Sequence, residues 1–113
     1  MDKHEALQQY FGHATFRDGQ EEVVDAILQG RDVLGIMPTG AGKSVCYQLS
    51  AMLLSGLTIV ISPLISLMKD QVDSLLEIGI SAAYLNSSMD AGEYQVTMLQ
   101  ARQGIYRILY VAP

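Results

Sequence analysis

Met37-Pro38-Thr39-Gly40-Ala41-Gly42-Lys43-Ser44 follows a short apolar run, Val33 to Met37, and leads into a stretch that stays helix-compatible to about Leu54. This order of apolar run, glycine-rich turn and helix decides the fold class. Successive backbone N–H groups in such a turn converge on an anion, and the helix N-terminus adds its partial positive charge. Gly40 and Gly42 permit a close approach that side chains would block. Lys43 supplies a mobile point charge that reaches outer phosphates, and Ser44 offers a hydroxyl to Mg2+. The general pattern G-x-x-x-x-G-K-[ST] asks for glycine at position 37, where this chain has Met37.

Outward from the loop, the chain alternates helix and strand signals. Asp2 to Tyr10 is short and weakly amphipathic, and Phe11 to Phe16 is turn-like. Asp18 is placed to cap a helix that carries Val23, Val24, Ile27 and Leu28 on one face, with Gly30 just past its end. Val33 to Met37 reads as a buried strand, and Lys43 opens the next helix, which Gly56 ends. Leu57 to Ile61, Ser81 to Leu85 and Arg107 to Val111 read as three further strands. Helices over Leu64 to Ile78 and Asp90 to Gln103, stopped by Gly79 and Gly104, separate them. Strands alternating with helices of this length predict an α/β domain with a parallel sheet and flanking helices. Right-handed crossovers then place ligands at the carboxyl ends of the strands, where the turns after Met37 and after Ile61 are expected.

The bulk numbers set limits. A chain of 113 residues, half of them apolar, allows one small domain or a piece of a larger one. A net charge of −5 argues against a freestanding nucleic-acid-binding domain, which shows a basic face, but not against a motor that grips a strand locally. The single cysteine, Cys46, forms no internal disulfide and fits a reducing compartment. The first residues show no signal-peptide pattern and no apolar run approaches a membrane span, so a cytosolic protein without a membrane partner is expected. The chain stops at Pro113, directly after a strand signal, and a truncated α/β domain is expected.

Several segments together resemble the RecQ family of superfamily-2 DNA helicases, and the resemblance covers nearly the whole chain. Phe11-Gly12-His13 with Phe16-Arg17-Asp18-Gly19-Gln20 is similar to that family's adenine-reading motif. Met37 to Ser44 is similar to its motif I, and Cys46-Tyr47-Gln48-Leu49 to the continuation of that helix. Ser62 to Gln71 resembles motif Ia, and Leu109 to Pro113 the segment that continues into Glu-Arg in the family. Ser50 departs from the proline usual at its position. The resemblance implies a RecA-like P-loop NTPase fold, with residues 1–113 as the N-terminal portion of the first motor domain. It implies ATP and Mg2+ as cofactors and DNA, single-stranded and unwound, as partner. The acidic Walker B box, the second motor domain with its arginine finger and the zinc-binding region fall after residue 113 in the family.

The candidate site residues follow. Pro38, Thr39, Gly40, Ala41, Gly42, Lys43 and Ser44 form the phosphate loop, Lys43 and Ser44 taking the catalytic roles and Ser44 meeting Mg2+ through ATP. Gln20 carries an amide suited to adenine N6 and N7. Arg17, three residues earlier, is placed to stack on the base or bond to it, and His13 sits where relatives stack a ring on adenine. By spacing alone, Arg17 and Gln20 read more readily as ordinary solvated residues at a helix start. Ser62, Pro63 and Leu64, after a strand, are candidates for holding a DNA phosphate, with Lys69 adding charge or remaining a solvated surface lysine. Asn86 and Ser87 read as a plain turn ahead of a strand contact. Cys46 reads as a core residue, and His4 and His13 lack a third metal ligand at useful spacing. Two other classes stay open: another P-loop enzyme such as a small-molecule kinase, and a non-catalytic nucleotide- or partner-binding fragment.

Overall fold

A computed structural model describes residues 1–37 and 42–113. They form two compact units, Met1–Ser55 and Gly56–Pro113.

The first unit is helical: α1 (Lys3–Phe11), α2 (Gln20–Leu28) and α3 (Lys43–Leu53). Helix α1 starts because Asp2 accepts the Glu5 N–H at 2.8 Å, which satisfies one of the donors that a first turn leaves open. It stops at Gly12, whose N–H donates to the Gln8 carbonyl while His13 N–H donates to Leu7. Helix α3 packs on both α1 and α2. Ala6, Leu7, Val24 and Leu49 meet in a fully buried core, with Tyr10, Phe11, Phe16, Leu28, Val45 and Leu53 packed around it. Each of the larger aliphatic chains there contributes roughly 1.5–3 kcal/mol by leaving water. Lys3 adds a polar clasp between α1 and α2, 2.8 Å from Glu21 and 2.6 Å from Asp25.

Two expectations fail in this unit. Asp18 does not cap α2. The cap is Gly19, at φ 85°, and no side chain bonds to the helix start. A tight turn explains this: Gln20 N–H donates to the Arg17 carbonyl at 3.0 Å, and closing the turn requires the left-handed backbone that glycine supplies at position 19. The second failure is the strand over Val33 to Met37. Residues 33–37 form no strand, and Leu34 and Ile36 are each 88% exposed. Apolar character favours burial, but a strand exists only where a neighbour completes its hydrogen bonds, and no described segment pairs with this one.

The second unit is the α/β part: β1 (Thr58–Ile61), α4 (Ile65–Glu77), β2 (Ala82–Leu85), α5 (Ala91–Arg102) and β3 (Ile108–Val111). The three strands are parallel in the order β1-β3-β2, with Thr58 and Ala82 both in register with Ile108. The last strand in the chain is therefore the central one, and its Ile108, Leu109 and Tyr110 are buried. Helix α4 turns Met68, Val72 and Leu75 inward at helical spacing and packs on β2, as does α5. Asp90 starts α5 by accepting Glu93 N–H at 2.8 Å. This is the expected α/β class with a parallel sheet and flanking helices, built on three strands among the described residues. Because the strands share one direction, Ser62, Asn86 and Ala112, which follow them, gather at one edge of the sheet.

Candidate functional site

In the first unit, the described end of the glycine-rich loop is Gly42, the residue before α3, at φ 78°. Lys43 is the first helical residue and is exposed, and Ser44 behind it is half-buried. No side chain caps the helix and no acidic residue sits in its first turn, so its opening N–H groups and Lys43 present positive character together. Pro38, Thr39, Gly40 and Ala41 lie outside the described residues.

Gln20 is 3% exposed, and its side-chain amide reaches two backbones. Its Oε1 accepts Arg17 N–H at 2.8 Å, and its Nε2 donates to the Gly42 carbonyl at 3.0 Å. A methyl group at Gly42 would lie 2.3 Å from that same Nε2. Glycine is thus favoured at 42 by its left-handed backbone, and a methyl group there would also have to displace the end of the Gln20 side chain. The bond joins positions 22 residues apart and ties the Phe16–Gln20 block to the start of α3. Sequence spacing gave no sign of it, although the residues at both ends were already candidates.

Arg17 lies in the turn before α2 rather than on the helix, with an exposed side chain. His13 follows the end of α1 and is exposed. Two clefts border the extended segment 33–37. One, of about 600 Å³, includes Arg17, Gly19 and Ile36; the other, of about 450 Å³, includes Ile27, Lys43 and Tyr47. Val23, Val33, Gly35 and Met37 line both, so Arg17 and Lys43 look into neighbouring hollows with shared apolar walls. Asp18 and Glu22 also line the first hollow, and Arg31 and Asp32 the second, so both carry mixed charge.

Cys46 sits on α3, 5% exposed, and burial pushes its thiol above the usual range. It is a core residue without the electropositive, accessible setting that activates thiols. Ser50 donates its hydroxyl back to the Cys46 carbonyl at 2.5 Å, so a buried polar side chain is satisfied inside its own helix. Among the described residues no group of His, Cys, Asp or Glu is arranged to hold a metal.

In the second unit, Ser62 follows β1 and its hydroxyl accepts Leu64 N–H at 3.1 Å, which shapes the turn into α4. Pro63 and Leu64 are exposed in that turn. Lys69 points to solvent on α4 and pairs with Asp73 at 2.8 Å; that carboxylate raises its pKa. Lys69 is therefore a partly neutralised charge, and an anion that bound there would compete with Asp73. At the strand-end edge lies a cleft of about 660 Å³ whose walls include Ile65, Asn86, Tyr94 and Pro113. Asn86, expected in a plain turn, is 5% exposed and held on both sides of its amide. A polar residue directly after a strand was the signal; its burial could not be read without the packing of α4. Among the described residues no helix is long and apolar enough to cross a membrane.

Residues 17–113 match the family model described as DEAD/DEAH box helicase. The chain is 56% identical over 109 residues to the ATP-dependent DNA helicase RecQ of Pasteurella multocida, covering 96% of this chain and 17% of that protein. It is 49% identical over 108 residues to the ATP-dependent DNA helicase RecQ of Bacillus subtilis, covering 95% of this chain and 18% of that protein. It is 47% identical over 106 residues to the ATP-dependent DNA helicase Q-like 4B of Arabidopsis thaliana, covering 91% and 9%. The chain thus spans less than a fifth of the length of these relatives.

Proposed function

The chain belongs to the DEAD/DEAH box helicase family, within its RecQ group, and from that premise we propose that residues 1–113 form the N-terminal portion of the first RecA-like motor domain of an ATP-driven DNA helicase. The observation that carries the proposal is the bond from Gln20 to the Gly42 carbonyl, because it joins the block proposed to meet the base to the loop proposed to meet the phosphates. ATP, when bound, supplies the phosphoryl transfer to water that drives such motors.

The chain's own residues have distinct parts in this scheme. Backbone N–H groups of residues 39–44 hold phosphate oxygens, and Lys43 neutralises the outer phosphates from the exposed start of α3. Ser44 offers its hydroxyl to Mg2+. The donor set fits: an uncapped helix start, a glycine at a left-handed φ of 78°, and a lysine without acidic first-turn neighbours. Gln20 and Arg17 meet the adenine, with His13 beside it; the Gln20 amide, buried and bonded to the Arg17 N–H and the Gly42 carbonyl, has to turn from loop support to reach the base. Ser62, Pro63 and Leu64 hold a phosphate of single-stranded DNA, with Lys69 exchanging Asp73 for the strand. A reducing cytoplasmic setting suits the lone buried Cys46.

Replacing Lys43 tests the assignment of the loop. Lys43→Ala in the protein at its natural length is expected to abolish ATP hydrolysis, as the described part of the loop offers no second basic group for the outer phosphates. Turnover near the parent rate in that variant would remove the loop from the mechanism.

A further inference from the structure

The Asn86 side chain is buried, yet it belongs to a turn at the open edge of the sheet. Its Oδ1 accepts Ser88 N–H at 2.9 Å and also the Ser88 hydroxyl, and the Asn86 carbonyl accepts Met89 N–H at 3.3 Å. These bonds fix the turn itself. The remaining contact leaves it: Nδ2 donates to the Met68 sulfur at 3.5 Å, across 18 residues of chain. Met68 is 2% exposed and lies on the inward face of α4, one residue from Lys69 and four from Leu64. A thioether is a weak acceptor, but a buried amide hydrogen gains its full worth there because the alternative is no partner at all.

We propose that Asn86 is a positioning residue for the strand site: through Met68 it sets the depth and rotation of the first turns of α4, and with them the Ser62–Leu64 turn and Lys69. The inference rests on the proposed strand contacts at those residues. Three features of the site support it. The turn into α4 lacks a side-chain cap on the helix, so its register depends on what α4 packs against. The main contacts that α4 makes with the sheet are with β2, the strand that Asn86 follows. The cleft at the strand ends has Ile65 of α4 and Asn86 on its walls, so a shift of α4 changes the width of the cleft.

A double-mutant cycle in the natural-length protein tests this. Met68→Leu keeps the buried volume and removes only the acceptor. Asn86→Ala removes the donor together with the turn bonds. The readouts are basal ATPase, ATPase at saturating single-stranded DNA, and the DNA concentration giving half-maximal stimulation, with thermal unfolding measured on each protein. Each single variant is expected to raise the half-maximal DNA concentration roughly three- to tenfold, the scale of one lost hydrogen bond. Basal turnover and turnover at saturating DNA should stay at parent levels. The double variant should be no weaker than the weaker single one. A merely structural role would instead lower both turnover values together and leave half-saturation unmoved, and that result overturns the inference. So do additive effects of the two substitutions. A parent protein that DNA does not stimulate would overturn the strand site itself, which a stimulated parent with unaffected variants would leave standing.

Discussion

Gly42 and Gln20 show how a loop can be specified by a residue far from it in sequence. The amide of Gln20 occupies the space that a methyl group at 42 would need and bonds to the carbonyl of the same residue. Gly42→Ala is therefore expected to cost about 1–3 kcal/mol from the left-handed backbone alone, and more if Gln20 cannot withdraw. Urea unfolding and nucleotide titration of the variant should both register the change; parent-like values in both would show that Gln20 does not pack against the loop. Gln20→Ala should weaken ATP binding and reduce the preference for ATP over GTP by roughly 1–3 kcal/mol, the value of a bidentate base contact. A competition assay with unchanged selectivity would limit Gln20 to loop support. The motif made both residues visible in the sequence, since glycine before lysine and serine has few other readings. Their bond was not visible, because no periodicity links positions 20 and 42.

At the level of elements, signals that are local in the chain were legible and those that depend on a neighbour were not. Asp2 and Asp90 each precede a helix and each accepts an N–H three residues on, as short polar caps do. Gly30, Gly79 and Gly104, read as helix stops, lie just past their helices with the positive φ that such stops need, whereas α3 ends at Leu54 in extended backbone before Gly56 is reached. Asp18 offered the same local signal and is not a cap, because the Arg17–Gln20 turn leaves Gly19 at the helix start. The run Val33–Met37 has a strand's composition but no partner among the described residues. The caps also predict a pH dependence. The Glu5 N–H holds the Asp2 carboxyl below its usual range. A lowered acid contributes stability above its unfolded-state pKa and loses it as pH falls through the folded-state value. Asp2→Asn caps without titrating. The melting temperature of the parent relative to this variant should therefore decline as pH drops from neutral to about 3, and a gap independent of pH would contradict the assigned contact. Asp90 is a less direct probe, because a hydrogen bond with it pushes Glu93 up, a shift opposite to its own.

At the scale of the whole molecule, the 113 residues expose apolar surface in both units. Val33, Leu34 and Ile36 stand out in the first, and Ile59, Ile61 and Leu67 in the second. Surface of this kind joins other surface when it can, and an unpaired extended segment is a ready site for it. The isolated chain is expected to self-associate in sedimentation velocity, and Leu34→Lys with Ile36→Lys should shift it towards monomer; a monodisperse parent chain would show that these side chains are covered in solution. The alternation of strands and helices was enough to give the α/β class, and the resemblance gave the family. The order β1-β3-β2 was not legible, because pairing order depends on which strand is most evenly buried, and Ile108, Leu109 and Tyr110 differ little in composition from Ile59, Val60 and Ile61. What separates a strand-driven motor from any other enzyme with such a loop is coupling between its two ligands. The most direct measurement is ATP hydrolysis by the natural-length protein with and without single-stranded DNA. Hydrolysis that rises strongly with DNA and disappears in Lys43→Ala is the predicted result; hydrolysis indifferent to DNA would contradict it.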